Sequence, residues 1–137
     1  MLNRLKEKEE KIKQVIDSLQ DKSAKGILIL VEGKKDLEAL RTLGVQGLIM
    51  SVKTGGKSFS DVVYTLEEAK VTKVVLMLDF DRRGKEGTKR LKQDLERAKI
   101  TPILEFWREL SGLVSREIQC VESLPVYLGT LNSKINA

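Results

Sequence analysis

What this chain can fold into is limited chiefly by residues 74–84, VVLMLDFDRRG. Five apolar residues, Val74 to Leu78, lead straight into Asp79-Phe80-Asp81. A half-exposed strand alternates apolar and polar residues. An unbroken apolar run suits a strand buried on both faces, as in a parallel α/β sheet. Two carboxylates then stand where the strand ends, the edge at which open α/β sheets bind ligands. Like charges held this close are costly unless a cation or a proton neutralises them. The stretch therefore points to a divalent metal site at the end of a central strand.

A second apolar run, residues 26–31 (GILILV), ends at Glu32-Gly33-Lys34-Lys35-Asp36. Glu32 has the same standing as Asp79, as the first polar residue after a buried strand. Gly33 permits a tight turn. A helix is expected from about Asp36, with Leu37, Ala39, Leu40 and Leu43 inward and Gly44 as its stop. Asp36 reads as its N-cap in preference to a ligand.

Residues 47–52 read as a third strand, followed by Lys53-Thr54-Gly55-Gly56-Lys57-Ser58. This loop is not a P-loop, because Ser51 stands where that pattern needs glycine. It reads either as a glycine turn or as a basic loop touching a phosphate backbone through Lys53, Lys57 and its amides. Ser60 or Asp61 is expected to cap a helix ending near Lys70.

Gly84 is expected to make a turn into a helix over residues 85–99. Thr88, Leu91, Leu95 and Ala98 would form its core stripe, with Lys85, Lys89, Lys92 and Lys99 on a separate basic face. A fourth strand is expected at 103–106, a short helix at 107–113, a short strand at 114–121 and a closing helix at 123–134. Trp107 and Cys120 read as core residues. Residues 2–21 read as a charged helix whose apolar stripe is Leu5, Ile12, Val15, Ile16 and Leu19. It is expected to dock on the sheet in preference to projecting as an arm.

The chemistry is narrowed by what is missing. With no histidine and a single cysteine, Cys120, neither a Ser-His-Asp triad nor a histidine or multi-cysteine zinc site can be built. A metal must be held by carboxylates and water, which favours Mg²⁺ or Mn²⁺. The net charge is +5, and residues 82–99 alone hold eight Lys/Arg against three acids. A basic surface beside the Asp pair suits a polyanion such as nucleic acid, although a lysine-rich helix is by itself an ordinary solvated face. The N-terminal MLNRLKEKEEKIK has no apolar signal core and no run is long enough to span a membrane, so a cytoplasmic protein is expected. The 137 residues suit a single domain over 26–137 with the helix of 1–25 packed on it or extending from it.

Glu32, Asp79 and Asp81 would converge if their strands are neighbours, whose ends lie about 5 Å apart. In this arrangement the sequence resembles the Toprim domain, over about residues 26–106. That family shares a strand-Glu-Gly motif, here ILILVEGKKD, and a later strand-Asp-x-Asp motif with a trailing glycine, here VVLMLDFDRRG. The matching positions are Glu32, Gly33, Asp79, Asp81 and Gly84, with Arg82 at a position often basic. The resemblance implies a compact, Rossmann-like parallel sheet between helices, an Asp pair binding Mg²⁺, and a glutamate acting as general acid/base or as a further ligand. It also implies action on nucleic-acid phosphodiesters, as in primases, topoisomerases, recombination proteins and small nucleases that mature ribosomal RNA. The chain lacks room for the strand-passage gate of a topoisomerase and has no cysteine/histidine zinc module of a primase, and its size is most similar to the small Toprim proteins, including the RNA-maturation nucleases and archaeal-type relatives.

The expected activity is thus Mg²⁺-dependent nuclease or phosphotransferase chemistry on RNA or DNA. Lys34, Lys53, Lys57, Arg82, Arg83, Lys85, Lys89 and Lys92 would hold the backbone with little sequence selectivity. The alternatives are a non-catalytic nucleic-acid-binding subunit of a replication, repair or RNA-processing complex, and a haloacid dehalogenase-like phosphatase. The latter places its Asp-x-Asp after the first strand, whereas here a strand ending in Glu32 comes earlier. A protein partner or a homodimer is compatible with a domain this small.

Overall fold

The computed structural model describes residues 1–53 and 58–137. Its elements run α1 (Leu2–Ala24), β1 (Leu28–Val31), α2 (Lys34–Thr42), β2 (Ile49–Ser51), α3 (Phe59–Glu68), β3 (Lys73–Met77), α4 (Arg82–Arg97), β4 (Thr101–Ile103), α5 (Glu105–Val114) and α6 (Leu124–Ile135). A short 3₁₀ turn, Val121–Ser123, precedes α6. The strands form one parallel sheet in the order β2-β1-β3-β4. From β1 the chain moves outward to β2, then crosses back to β3 on the other side. The strand order therefore reverses between β1 and β3, which is where open α/β sheets leave a crevice at the strand C-termini.

The two apolar runs end up in the middle because they alone can be buried on both sides. Register pairs Ile29 with Val75 and Val31 with Met77. These four residues face one core, with Ile12, Val15, Ile16 and Leu19 of α1 and Leu40, Phe106, Leu110 and Leu131 from α2, α5 and α6. Leu30, Val74, Leu76 and Leu78 face the other core, against Val62, Val63 and Leu66 of α3 and Leu91 and Leu95 of α4. Helices thus cover both faces of the sheet. The apolar stripe of α1 is buried, and the helix packs along α5 and α6 rather than projecting. Among the described residues no helix is long and apolar enough to cross a membrane.

Several expected boundaries are corrected. α3 is capped by Ser58, whose Oγ accepts from Asp61 N at 3.2 Å, and Asp61 answers from the third helical position. α4 begins at Arg82, three residues before the expected start, because Asp81 caps it. β4 sits at Thr101–Ile103, since Leu104 and Glu105 already open α5. The strand expected at 114–121 is absent: Val114 ends α5 and a turn leads to the 3₁₀ segment. Val114 and Val121 belong to separate buried contacts of one core, not to one strand face. Cys120 is half-buried and not a core residue, whereas Trp107, also half-buried, packs against the core as expected.

Candidate functional site

Glu32 and Asp79 meet at the crevice between β1 and β3. Glu32 follows the last residue of β1, and Asp79 lies two residues beyond β3. Glu32 Oε2 accepts a hydrogen bond from the Asp79 backbone N–H at 3.3 Å. Lys53, just past β2, reaches Glu32 Oε1 with its Nζ at 3.3 Å. β2 thus delivers one cation to the acids.

The Asp79 backbone is held from three directions. The Trp107 indole N–H donates to the carbonyls of Leu78 (3.0 Å) and Asp79 (3.3 Å). The next residue, Phe80, is buried in the core, and its N–H donates to the Gln119 carbonyl at 2.7 Å. From α4, Gly84 packs so closely on the Asp79 carbonyl that any Cβ there would collide with it. Gly84 was expected to supply a turn, but it lies inside the first turn of α4. What selects glycine here is close approach, since nothing in its backbone angles is unusual.

Held in this way, the Asp79 carboxylate is unusual. Its Oδ1 is buried and has no hydrogen-bond partner among the described residues. Burial first, then the charges of Glu32, Asp36 and Asp81, push its pKa up from 3.8 to about 7, against a smaller opposing effect of Lys53. A half-buried carboxylate with one buried, orphaned oxygen, crowded by other acids, is short of positive charge. A hard divalent cation satisfies that oxygen and offsets the repulsion, so the donor set fits Mg²⁺ or Mn²⁺.

Asp81 sits differently. It is the N-cap of α4, and its Oδ1 accepts from Gly84 N at 2.8 Å. One of its two oxygens is therefore committed to the helix. Asp36 was expected to cap α2 but stands at its third position, while Gly33 is the N-cap. Asp36 Oδ2 accepts from Gly33 N at 2.9 Å, and Oδ1 accepts from Glu122 N at 2.8 Å, tying α2 to the 3₁₀ turn. Gly33 is in an extended conformation with room for a side chain, so the turn does not require glycine.

A cleft of about 290 Å³ opens here, lined by Glu32, Asp36, Asp79 and Glu122 with Lys34, Lys35, Lys53 and Cys120. A larger cleft of about 780 Å³ lies elsewhere, between α1 and α5, away from these acids. Donor atoms of Asp36, Cys120 and Glu122 lie within 4.8 Å of one another on the cleft wall. Sequence reasoning missed this wall. Asp36 was visible as an acid four residues after Glu32, but Cys120 and Glu122 carry no local signal, and only the fold brings them in.

The expected cations fall into groups. Lys34 is the first residue of α2, and Arg82, Arg83 and Lys85 lie in the first turn of α4. All four are exposed, although Arg82 also pairs with Glu86. Cations at a helix N-terminus oppose the helix dipole, so their place here is not explained by helix stability. Lys89 and Lys92 follow about 10 and 15 Å further along α4, with Lys92 paired to Glu96. Lys57 lies outside the described residues.

Residues 26–103 match the Toprim domain. The chain belongs to the Toprim family. The Toprim match spans β1 through β4 and so includes Glu32, Asp79 and Asp81. Among full-length relatives, the chain is 36% identical to a UPF0292 protein of Archaeoglobus fulgidus over 83% of this chain and 86% of that one. It is 31% identical to a UPF0292 protein of Methanosarcina acetivorans over 91% and 85% respectively. A solved structure of a protein from Aquifex aeolicus superposes with a TM-score of 0.65 at 29% identity, covering 80% of this chain and 94% of that one. Toprim membership ties the chain, at the level of the family, to divalent-metal binding and metal-dependent nucleic-acid processing.

Proposed function

We propose that this Toprim protein is a small Mg²⁺-dependent nuclease that cleaves phosphodiesters of RNA or DNA. The observation that carries the reading is the buried, unpartnered Oδ1 of Asp79 beside Glu32, at the point where the strand order reverses. Asp79 and Asp81 would hold the cation, with Glu32 as a further ligand or as general base. When bound, the ion would stabilise charge developing on a phosphodiester oxygen and lower the pKa of a water.

The protein's own contributions can be stated separately. Trp107, Gly84 and Phe80 hold the Asp79 main chain, so the carboxylate does not have to reorganise when substrate arrives. Lys53 is placed to exchange its ion pair with Glu32 for one with an incoming phosphate, which would release Glu32 for proton transfer. The N-terminus of α2 lines the cleft and that of α4 begins at Asp81, two residues after Asp79, so Lys34 on the one and Arg82, Arg83 and Lys85 on the other would grip phosphates on either side of the scissile bond. Lys89 and Lys92 would extend that track along α4. Contacts of this kind read the backbone and not the sequence.

The test is cleavage of structured RNA, single-stranded DNA and duplex DNA with Mg²⁺, Mn²⁺ or EDTA, run beside Mg²⁺ calorimetry on the same protein. Metal-dependent cleavage that disappears in Glu32→Gln, with metal binding weakened in Asp79→Asn, is the expected result. Full activity in Asp79→Asn would overturn the mechanism. Salt-sensitive binding without cleavage of any substrate would replace it with an accessory nucleic-acid-binding role.

A further inference from the structure

At the opposite edge of the sheet, where the strands begin, an apolar groove of about 470 Å³ runs beneath the C-terminus of α3, from Leu48 and Met50 beside β2 to the starts of β1 and β3. Its floor is aliphatic: Ile27, Leu28, Leu48, Met50, Leu66 and Val71. Leu48 is 66% exposed, although it directly precedes a strand. Every charged residue lining the groove is a lysine: Lys25, Lys70 and Lys73.

The strand beside the groove has hydrogen-bonding capacity to spare. β2 is one of the two outer strands of the described sheet. Toward β1, the Leu48 carbonyl accepts from Ile29 N at 3.0 Å and Val52 N donates to the Val31 carbonyl at 2.9 Å. In a parallel ladder, alternate residues bond to the same neighbour. Met50 therefore also faces β1, and the N–H and C=O groups of Ile49 and Ser51 point outward along the edge. No strand of the described residues pairs with them. Natural proteins cover or charge such an edge when it is not meant to be used. Here Leu48, Ile49 and Met50 leave it apolar.

We propose that this edge is a docking site for an extended acidic segment of a partner protein, which adds as a strand beside β2. The segment would place apolar side chains in the groove and carboxylates against Lys25, Lys70 and Lys73. Main-chain hydrogen bonds to Ile49 and Ser51 would supply affinity, and the alternating side chains would supply selectivity. A second copy of this chain fits poorly, because its own edge strand, residues 48–52, carries no carboxylate to set against the lysines. Nucleic acid also fits poorly, because no aromatic side chain lines the groove as a stacking platform.

The test uses fluorescence anisotropy with a labelled peptide alternating glutamate with valine and phenylalanine, and the same peptide with lysine in place of glutamate. The acidic peptide should bind, and the lysine peptide should bind at least about tenfold more weakly. Leu48→Glu, and separately Lys25→Glu with Lys73→Glu, should each weaken the acidic peptide by at least about tenfold. These positions are exposed, so thermal unfolding should be unchanged, and cleavage at the acidic cleft should be untouched. Equal binding of both peptides, or no loss in the variants, would overturn the proposal. So would a dimer that Leu48→Glu makes monomeric, or an RNA whose binding depends on Lys25 and Lys73.

Discussion

The two ends of the parallel sheet carry opposite chemistry. At the C-terminal end the strands run out into Glu32, Asp79 and Asp81, and the helix N-termini of α2 and α4 arrive beside them. At the N-terminal end the helix C-termini return to the sheet through turns that each contain a left-handed residue: Gly26, Gly44, Lys70 and Lys99. A parallel sheet aligns all its strands, so it sorts the two kinds of connection onto two edges. One edge crowds acids around Asp79 among the cations of α2, α4 and Lys53, and the other pairs lysines with an apolar groove. The difference teaches that the charge of this molecule is organised by strand direction, and that a +5 net charge says little about where an anion will go.

The largest expected difference between the two ends is in tolerance of an added methyl group. Gly84→Ala forces a Cβ into the Asp79 carbonyl, so either α4 or the Asp79 strand end must move. We expect a loss of about 3 kcal/mol of stability, the upper part of the range for overpacking, together with loss of metal binding. At the other edge Gly26→Ala meets no neighbouring atom, and only its left-handed backbone opposes it, at about 1 kcal/mol. Urea unfolding of both variants measures the contrast. Equal losses would show that the acidic end is no more tightly built than the other.

The same contrast explains what could be read from the sequence. Both central strands and both acidic motifs were legible, because residues 26–31 and 74–78 are apolar without interruption and end abruptly in carboxylates. The role of Gly84 was not, since a close approach between α4 and the end of β3 leaves no trace in local pattern. The region after residue 103 was misread for a related reason. Val114 and Val121 suggest a strand by composition, but α5 had already claimed the first and the 3₁₀ turn the second. With that turn unrecognised, Cys120 and Glu122 could not be placed beside Asp36. Asp36 itself looked like a helix cap because it stands where the helix was expected to begin, whereas α2 starts at Lys34. Its second bond, to Glu122 N, is a long-range contact.

A smaller effect separates the two ends by pH. Asp79 titrates near 7 in the folded protein against 3.8 as the ordinary value, through burial and the neighbouring acids. Between these values the folded state holds a proton that the unfolded state has released. Unfolding then releases protons, and stability falls as pH rises. The contribution is fully present below about pH 4 and lost by pH 7 to 8. Discounted for the solvent screening of a half-buried group, it is on the order of 1–2 kcal/mol. In metal-free protein Asp79→Asn should flatten the profile and raise stability at pH 8, whereas Lys73→Gln should change neither. A profile of Asp79→Asn parallel to that of the wild type would place the titration elsewhere.

The smallest expected effect concerns the grip on the Asp79 main chain, and the chain contains its own reporter. Trp107 is the sole tryptophan, and its indole N–H is shared between the carbonyls of Leu78 and Asp79. Trp107→Phe keeps most of the apolar contact but removes the donor, at a cost of about 1 kcal/mol. If the grip serves only the fold, that cost is the whole effect and Mg²⁺ affinity is unchanged. If it fixes the carboxylate, Mg²⁺ binds more weakly in the variant even at temperatures where both proteins are fully folded. In the wild type, Mg²⁺ added to metal-free protein should then shift the tryptophan emission, and Asp79→Asn should abolish the shift. An emission shift that persists in Asp79→Asn would mean that the cation is read through Asp36 and Glu122 on the other wall of the cleft, and would move the centre of the site from the end of β3 to the start of α2.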